Sequence, residues 1–326
     1  MELLKVQKAN KIVRLVLNNI VWIILIFSVA GFSSTIKGYL SLGNYINIVY
    51  HSVFIGMLAI AESYCLISGN IDLSVESMAA FGAIASAWLC GASPFASGLK
   101  VNPFVGLLLV MSVGGAVGFI NAFFILKMRI QPFLVTLSTF IVMRGLAVLL
   151  TGGKGISQIT DSFQFVSMVK FLRMPLMVYI MFIFYIFFHF ILEKTQFGKH
   201  VFIIGGNVNV AYNFGINVHE RLFVVFVFSG VISAITGWLM TARASGATPA
   251  MASGFLFEVL AAVVIGGVSM IGGVGSLIGV FAGVLLLSSI RSALNILAIS
   301  PFITEVIRGS LVLMAVVLDS VKRMFR

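Results

Sequence analysis

Ile67-Ser-Gly-Asn-Ile-Asp-Leu-Ser-Val-Glu-Ser77 joins two apolar runs with almost no loop between them. Gly69 and Asn70 tolerate left-handed backbone and can end one helix. Asp72 or Ser74 can cap the next by accepting from its free N–H groups. The flanking runs, near Ile46–Ile67 and near Leu73–Leu89, carry Glu62 and Glu76 as their only acidic or basic residues inside the apolar pattern. A span needs about 20 apolar residues to cross about 30 Å of hydrocarbon. Two membrane helices meeting at a short polar break is therefore the expected local structure, and it sets the fold class as an all-α, polytopic transmembrane bundle.

The same pattern repeats outward in both directions. It predicts about ten spans: near Leu15–Phe32, Ile46–Ile67, Leu73–Leu89, Pro103–Leu126, Phe133–Leu150, Pro175–Leu192, Leu222–Thr241, Glu258–Ile271, Leu277–Leu297 and Pro301–Leu318. The eighth is short and Gly-rich, so it reads as a span, a half-span or a re-entrant piece. Irregular backbone at that depth is tolerable only inside protein or beside a watery cavity. No polar stretch is long enough to fold separately, so residues 1–326 read as one transmembrane domain.

Composition agrees. Of 326 residues, 60% are apolar and 10% charged, whereas a soluble domain carries about 25% charged residues. Most of the exterior must face lipid. The net charge is +11, but the cations gather at the ends of apolar runs, which is topology information rather than a nucleic-acid footprint. With the amino end inside, the cytoplasmic side holds Lys5, Lys8, Lys11, Arg14, Lys127, Arg129, Lys194, Lys199, Arg221, Lys322, Arg323 and Arg326. The outer side holds Lys37, Lys100, Lys154, Lys170, Arg173 and Arg243. That bias of 12 against 6 puts both termini in the cytoplasm. The basic stretch before Leu15 leads into a long apolar run with no small-residue cleavage site, and reads as an uncleaved first span.

Charge inside hydrocarbon is costly and usually faces protein or water. The candidates are Glu62, Asp72, Glu76, Arg144, Glu258, Arg291, Glu305 and Arg308. Glu305 and Arg308, three apart, can pair with each other. Glu258 can favour a helix amino end, and Arg144 can bind carbonyls or snorkel. Asn70, Asp72, Ser74 and Glu76 have two readings, a tight helix–helix turn or a break lining a translocation path. The residues alone leave both open. Between Val263 and Gly283, Gly266, Gly267, Gly272, Gly273, Gly275, Gly279 and Gly283 permit close helix approach. No strand precedes them, so a dinucleotide loop is excluded.

No phosphate loop of the type G-x-x-x-x-G-K-[ST] occurs, and Gly152-Gly-Lys-Gly155 is too short to serve. His51, His189, His200 and His219 show no metal-ligand spacing. Cys65 and Cys90 read as packing residues. No nucleophile–base motif is visible. The sequence thus implies no cofactor, no metal and no chemistry of its own. Between Glu193 and Arg221, Gly205-Gly206-Asn207 breaks an apolar piece, and Val208–Phe214 can form a short helix lying at the membrane surface.

Four stretches resemble bacterial ABC importer permeases of the ribose/xylose type, the monosaccharide and autoinducer-2 family. They are Ser68-Gly-Asn-Ile-Asp-Leu-Ser-Val-Glu-Ser77; Gln131-Pro-Phe-Leu-Val-Thr-Leu-Ser-Thr-Phe140 with Arg144-Gly145; Phe197-Gly198 with Gly205-Gly-Asn207 and Gly215-Ile216; and Ala261 through Gly279. The resemblance covers about Ser41 to Asp319 and follows family order. It implies a permease pair, homodimeric or heterodimeric, around one pathway. It also implies two cytoplasmic ATPase subunits, a periplasmic solute-binding protein, and a place in the bacterial inner membrane. Residues 196–218 are then the coupling segment that sits in the ATPase, with Gly205, Gly206, Asn207, Asn209, Ala211 and Gly215 carrying it. Two positions depart from the family. Val208-Asn209-Val210 stands where Glu-Ala-Ala is usual, which suits one half of an unequal pair, and Glu76 stands where a small Gly is usual. A proton- or sodium-coupled carrier using Glu62 or Glu76 is the alternative of another class. A branched-chain amino-acid permease fits less well with Asn-Ile-Asp-Leu-Ser. A ribose-like monosaccharide is the expected solute. Asn70 and Thr151-Gly-Gly-Lys154 also resemble autoinducer-2 permeases, and polyols and nucleosides stay open.

Overall fold

Helix starts in this chain carry their own caps. Asn102 accepts from the Phe104 amide at 2.9 Å and is followed by Pro103, which needs no N–H partner. Ser41 accepts from Asn44 N, and Asn217 from Glu220 N. The computed structural model describes residues 19–324; residues 1–18, with the first basic cluster and the start of the first expected span, and 325–326 lie outside it.

The described chain runs α1 (Ile20–Thr35), α2 (Leu42–Ile67), α3 (Val75–Cys90), α4 (Pro103–Leu126), α5 (Pro132–Thr151), β1 (Ile156–Ser157), α6 (Asp161–Met168), β2 (Lys170–Phe171), β3 (Met174–Pro175), α7 (Leu176–Lys194), α8 (Gln196–Gly206), α9 (Val208–Asn213), α10 (Val218–Ala244), β4 (Gly246–Ala247), α11 (Phe255–Ile265), α12 (Leu277–Ile296) and α13 (Pro301–Met324). Among the described residues, α2, α4, α5, α7, α10 and α12 are long and apolar enough to cross a membrane. Helices α1, α3 and α11 are apolar but have only 16, 16 and 11 residues. Of the ten expected segments, six are thus helices both long and apolar enough to span, and α13, with 24 residues, is long enough but not among them. The eighth, Glu258–Ile271, takes the half-span reading: a half-length helix ending at Ile265, followed by a non-helical loop. Gly266 and Gly267 end it, and Gly267 has φ +97°.

Helix α10 is the axis of the bundle. A Cβ on Gly230 would lie 2.1 Å from Gly114 O, one on Gly118 2.2 Å from Phe226 O, and one on Gly237 2.1 Å from Ala79 O. Backbone therefore meets backbone where α10 crosses α4 and α3, which only glycine permits. The two ends of α10 differ. At one end Leu222 and Val218 join Ile204, Ala211 and Ile216 in a small separate core. At the other, β4 pairs antiparallel with β1, Ile156 opposite Ala247 and Ser157 opposite Gly246. There Phe163 of α6 is fully buried against Trp238, ring centroids 5.2 Å apart. The Thr151–Arg173 stretch forms this folded lid. Its short helix and its ribbons are the only strands and lid elements that modify the all-helical expectation among the described residues.

Candidate functional site

The break between α2 and α3 is tied by side chains. Gly69 takes φ +78°, and Asn70 N returns to Cys65 O at 2.9 Å, which closes the end of α2. Asp72 is buried. Its Oδ1 accepts from Ser74 N at 2.9 Å and from the Ser74 hydroxyl at 2.5 Å; its Oδ2 accepts from the Ser229 hydroxyl of α10 at 2.6 Å. Asn121 Nδ2 of α4 donates to Ser74 Oγ at 3.2 Å, and Thr139 of α5 donates to Asn121 Oδ1 at 2.6 Å. One carboxylate thereby anchors a chain of hydrogen bonds joining α3, α10, α4 and α5. Ser74 is buried with it, and Asn70 is half-buried, donating to the Ser68 carbonyl and hydroxyl. Sequence reasoning missed Ser229, Asn121 and Thr139. Each shares its helix with other polar residues, such as Ser112, Ser138 and Ser233, so nothing in the sequence singled it out.

The break between α11 and α12 is tied by backbone. Gly273 N donates to Ile67 O at 2.8 Å. A Cβ on Gly205 would lie 1.8 Å from Ile67 O and 2.7 Å from Gly273 N; one on Gly272 would lie 2.7 Å from Gly205 O and 2.8 Å from Gly69 Cα. The end of α8, the end of α2 and the α11–α12 loop therefore meet in a junction of main chains. Gly275 packs on the Ile67 side chain and precedes α12, so it takes no part in a helical GxxxG pair. That pairing belongs to Gly279 and Gly283, whose added Cβ atoms would strike Gly266 O and Ala262 O at 2.1 and 2.2 Å. Gly266 meets Val280 Cα in the same crossing, and Gly267 serves the turn, with open space around it.

The segment beyond this junction is built for display. Asn207 Oδ1 caps α9 by accepting from Asn209 N and Val210 N. Gly215, at φ +71°, reverses the chain, and Ile216 N returns to Ala211 O. Ala211 is fully buried, whereas Val208, Val210, Tyr212 and Phe214 are exposed. Asn209 is exposed, and Gly206 has open space where a side chain would go. An exposed apolar knob thus stands on a short helix, next to α8, whose end meets the end of α2 and the α11–α12 loop.

Ion pairs hold the opposite half. Arg144 of α5 pairs with Glu76 at 2.6 Å and donates to Pro249 O and Met251 O; Glu76 Oε2 accepts from Leu256 N at 2.9 Å. Glu76 thus caps α11 from another helix, where a carboxylate is favoured, besides standing in the first turn of its own. Glu258 of α11 meets Arg291 of α12 at 3.3 Å and Arg308 of α13 at 2.6 Å, and Arg308 also pairs with Glu305. Glu62 stands apart: it is fully buried, and among the described residues neither carboxylate oxygen has a hydrogen-bond partner.

Comparison with known proteins places this arrangement. The family described as branched-chain amino acid transport system / permease component matches residues 44–317. The L-arabinose transport system permease protein AraH of Escherichia coli is 35% identical over 268 residues, which cover 82% of this chain and 80% of that protein. The ribose import permease protein RbsC of Escherichia coli is 28% identical over 306 residues, covering 92% and 93%. The probable ABC transporter permease protein YphD of Escherichia coli is 33% identical over 287 residues, covering 87% and 84%. No solved structure matches the chain.

Proposed function

The chain belongs to the bacterial ABC importer permeases of the ribose/arabinose type, and from that membership we propose that it carries a monosaccharide inward across the bacterial inner membrane, driven by ATP hydrolysis in separate subunits. The sugar-named relatives favour a pentose over a branched-chain amino acid. One observation carries the mechanism: Gly205, at the root of the displayed α9, touches the ends of both broken helices through backbone atoms. In this reading α9 docks in an ATPase subunit, and its apolar tip, Val208, Val210, Tyr212 and Phe214, fills the cleft where the family more often offers an acid. Closure of the ATPases on ATP displaces α8 and α9. The junction passes that displacement to the α2–α3 and α11–α12 breaks, and the pathway switches sides by rigid-body motion. Asn70 and Glu76 border the path. Asp72 and Ser74 fix the helices around it.

A second permease subunit, an outer solute-binding protein and both termini on the cytoplasmic side complete the proposal. The test is Gly206→Glu in the assembled complex. The position is open, so the variant inserts and folds. ATP hydrolysis continues while uptake falls about tenfold or more, as expected when a coupling contact alone is lost. Normal uptake in this variant would refute the coupling role. The buried, unpartnered Glu62 motivates a second reading, a proton-driven carrier. Uptake that persists without the ATPase and collapses with an uncoupler would establish it instead.

A further inference from the structure

Arg144, Arg221, Arg291 and Arg308 each meet a carboxylate. Arg243, near the end of α10, meets none among the described residues. Its guanidinium lies 3.8 Å from the Tyr50 ring centroid and 5.8 Å from that of Phe54, and its buried Nη1 has no acceptor. Arg291, already sharing Glu258 with Arg308, lies 5.7 Å from the Phe255 ring. His51 follows Tyr50 on α2, and Phe255 begins α11, which packs on α2. Tyr50, His51, Arg243, Arg291 and Phe255 are all half-buried, so the strip is open on one side.

Depth decides what that open side faces. His51 is nine residues into α2, about 14 Å from the start of the helix at 1.5 Å per residue. Arg243, stacked on the residue before it, is the last but one of α10, so the strip starts at that end of α10 and reaches inward along α2. A half-exposed guanidinium and imidazole there must border water rather than lipid. Stacking on Tyr50 fixes the plane of the Arg243 guanidinium.

We propose that Tyr50, His51, Arg243 and Arg291 form a solute subsite on the water-filled path, taking the hydroxyl oxygens of a polyhydroxylated solute. The inference rests on the sugar-permease reading for the identity of the solute. Hydroxyl oxygens accept from guanidinium N–H groups, and the aromatic rings offer an apolar edge to sugar C–H groups. An uncharged solute is held without being trapped, which a site on a conducting path requires.

The complete complex in proteoliposomes, with radiolabelled ribose and L-arabinose as probes, tests this. Arg243→Gln should cut uptake about tenfold at saturating sugar, while hydrolysis stimulated by the loaded binding protein stays within about twofold. Arg243→Lys should fall between. If Arg243→Gln fails to assemble, His51→Asn carries the same expectation. An independent readout uses Ala244→Cys, exposed and next to Arg243, with a water-soluble thiol reagent, since the two native cysteines are buried. Sugar should slow labelling several-fold. Unchanged sugar carried per ATP, or uptake and hydrolysis falling together, would overturn the subsite. So would protection that follows the anionic-lipid content of the vesicles instead of sugar. If wild-type vesicles carry neither sugar yet both slow the labelling, the subsite stands and the transport reading falls. Transport without protection overturns the subsite alone.

Discussion

The two helix breaks solve one problem in opposite ways. Between α2 and α3 the chain is held by polar side chains radiating from Asp72; between α11 and α12 it is held by glycine main chain pressed against Ile67 and Gly205. A side-chain network loses stability one hydrogen bond at a time. A main-chain contact has no rotamer to adjust, so any added volume displaces a whole element. The first break should degrade gradually under mutation and the second abruptly.

The largest effect is expected at Gly205→Val. Its Cβ would sit 1.8 Å from Ile67 O, and the variant should lose more than about 3 kcal/mol and fail to yield folded protein in detergent. Gly206→Val, one residue on and facing open space, should stay within about 0.5 kcal/mol of the parent by thermal unfolding. Equal behaviour of the two would erase the distinction between the breaks. Asp72→Ala comes next: two hydroxyls and one amide lose their acceptor, for a cost of about 2–4 kcal/mol in the same assay. Glu76→Gly, which restores the residue usual in the family, strands Arg144 and uncaps α11; a cycle with Arg144→Met should return a coupling of about 1–3 kcal/mol. Within the hydrogen-bond network the smallest effect is Thr139→Val at its end, about 1 kcal/mol. If it matched Asp72→Ala, the hydrogen-bond chain would be acting as one unit rather than by steps.

What could be read in the sequence divides along the same line. Local signals gave the helix ends: Pro103, Pro132, the turn at Gly69-Asn70, and the short helix after Asn207 follow from backbone preference and capping. The Glu305–Arg308 pair was visible from its spacing, but not its extension to Glu258, because that needs α11 and α13 side by side. The half-length of α11 was only one of several readings, since an apolar, glycine-rich run has the same composition whether it crosses or stops. The partners of Asp72 and the role of Gly205 depend on which helices are neighbours, and no residue spacing within one segment carries that. The lid over the far end was missed for a simpler reason: its helix has only eight residues, and its buried Phe163 and Val166 are scattered among polar neighbours.

Helix α10 has a geometric consequence of its own. It is 27 residues long and is gripped near its middle, where Gly230 sits against Gly114. About 18 Å of rod lies on one side of that grip and about 21 Å on the other. A seesaw of these proportions tilted by about 5° swings each tip through roughly 2 Å, in opposite senses. One tip is rooted beside α9; the other carries Arg243 and the strand that holds the lid. A pull at the end rooted beside α9 is thus delivered to the opposite end with its direction reversed.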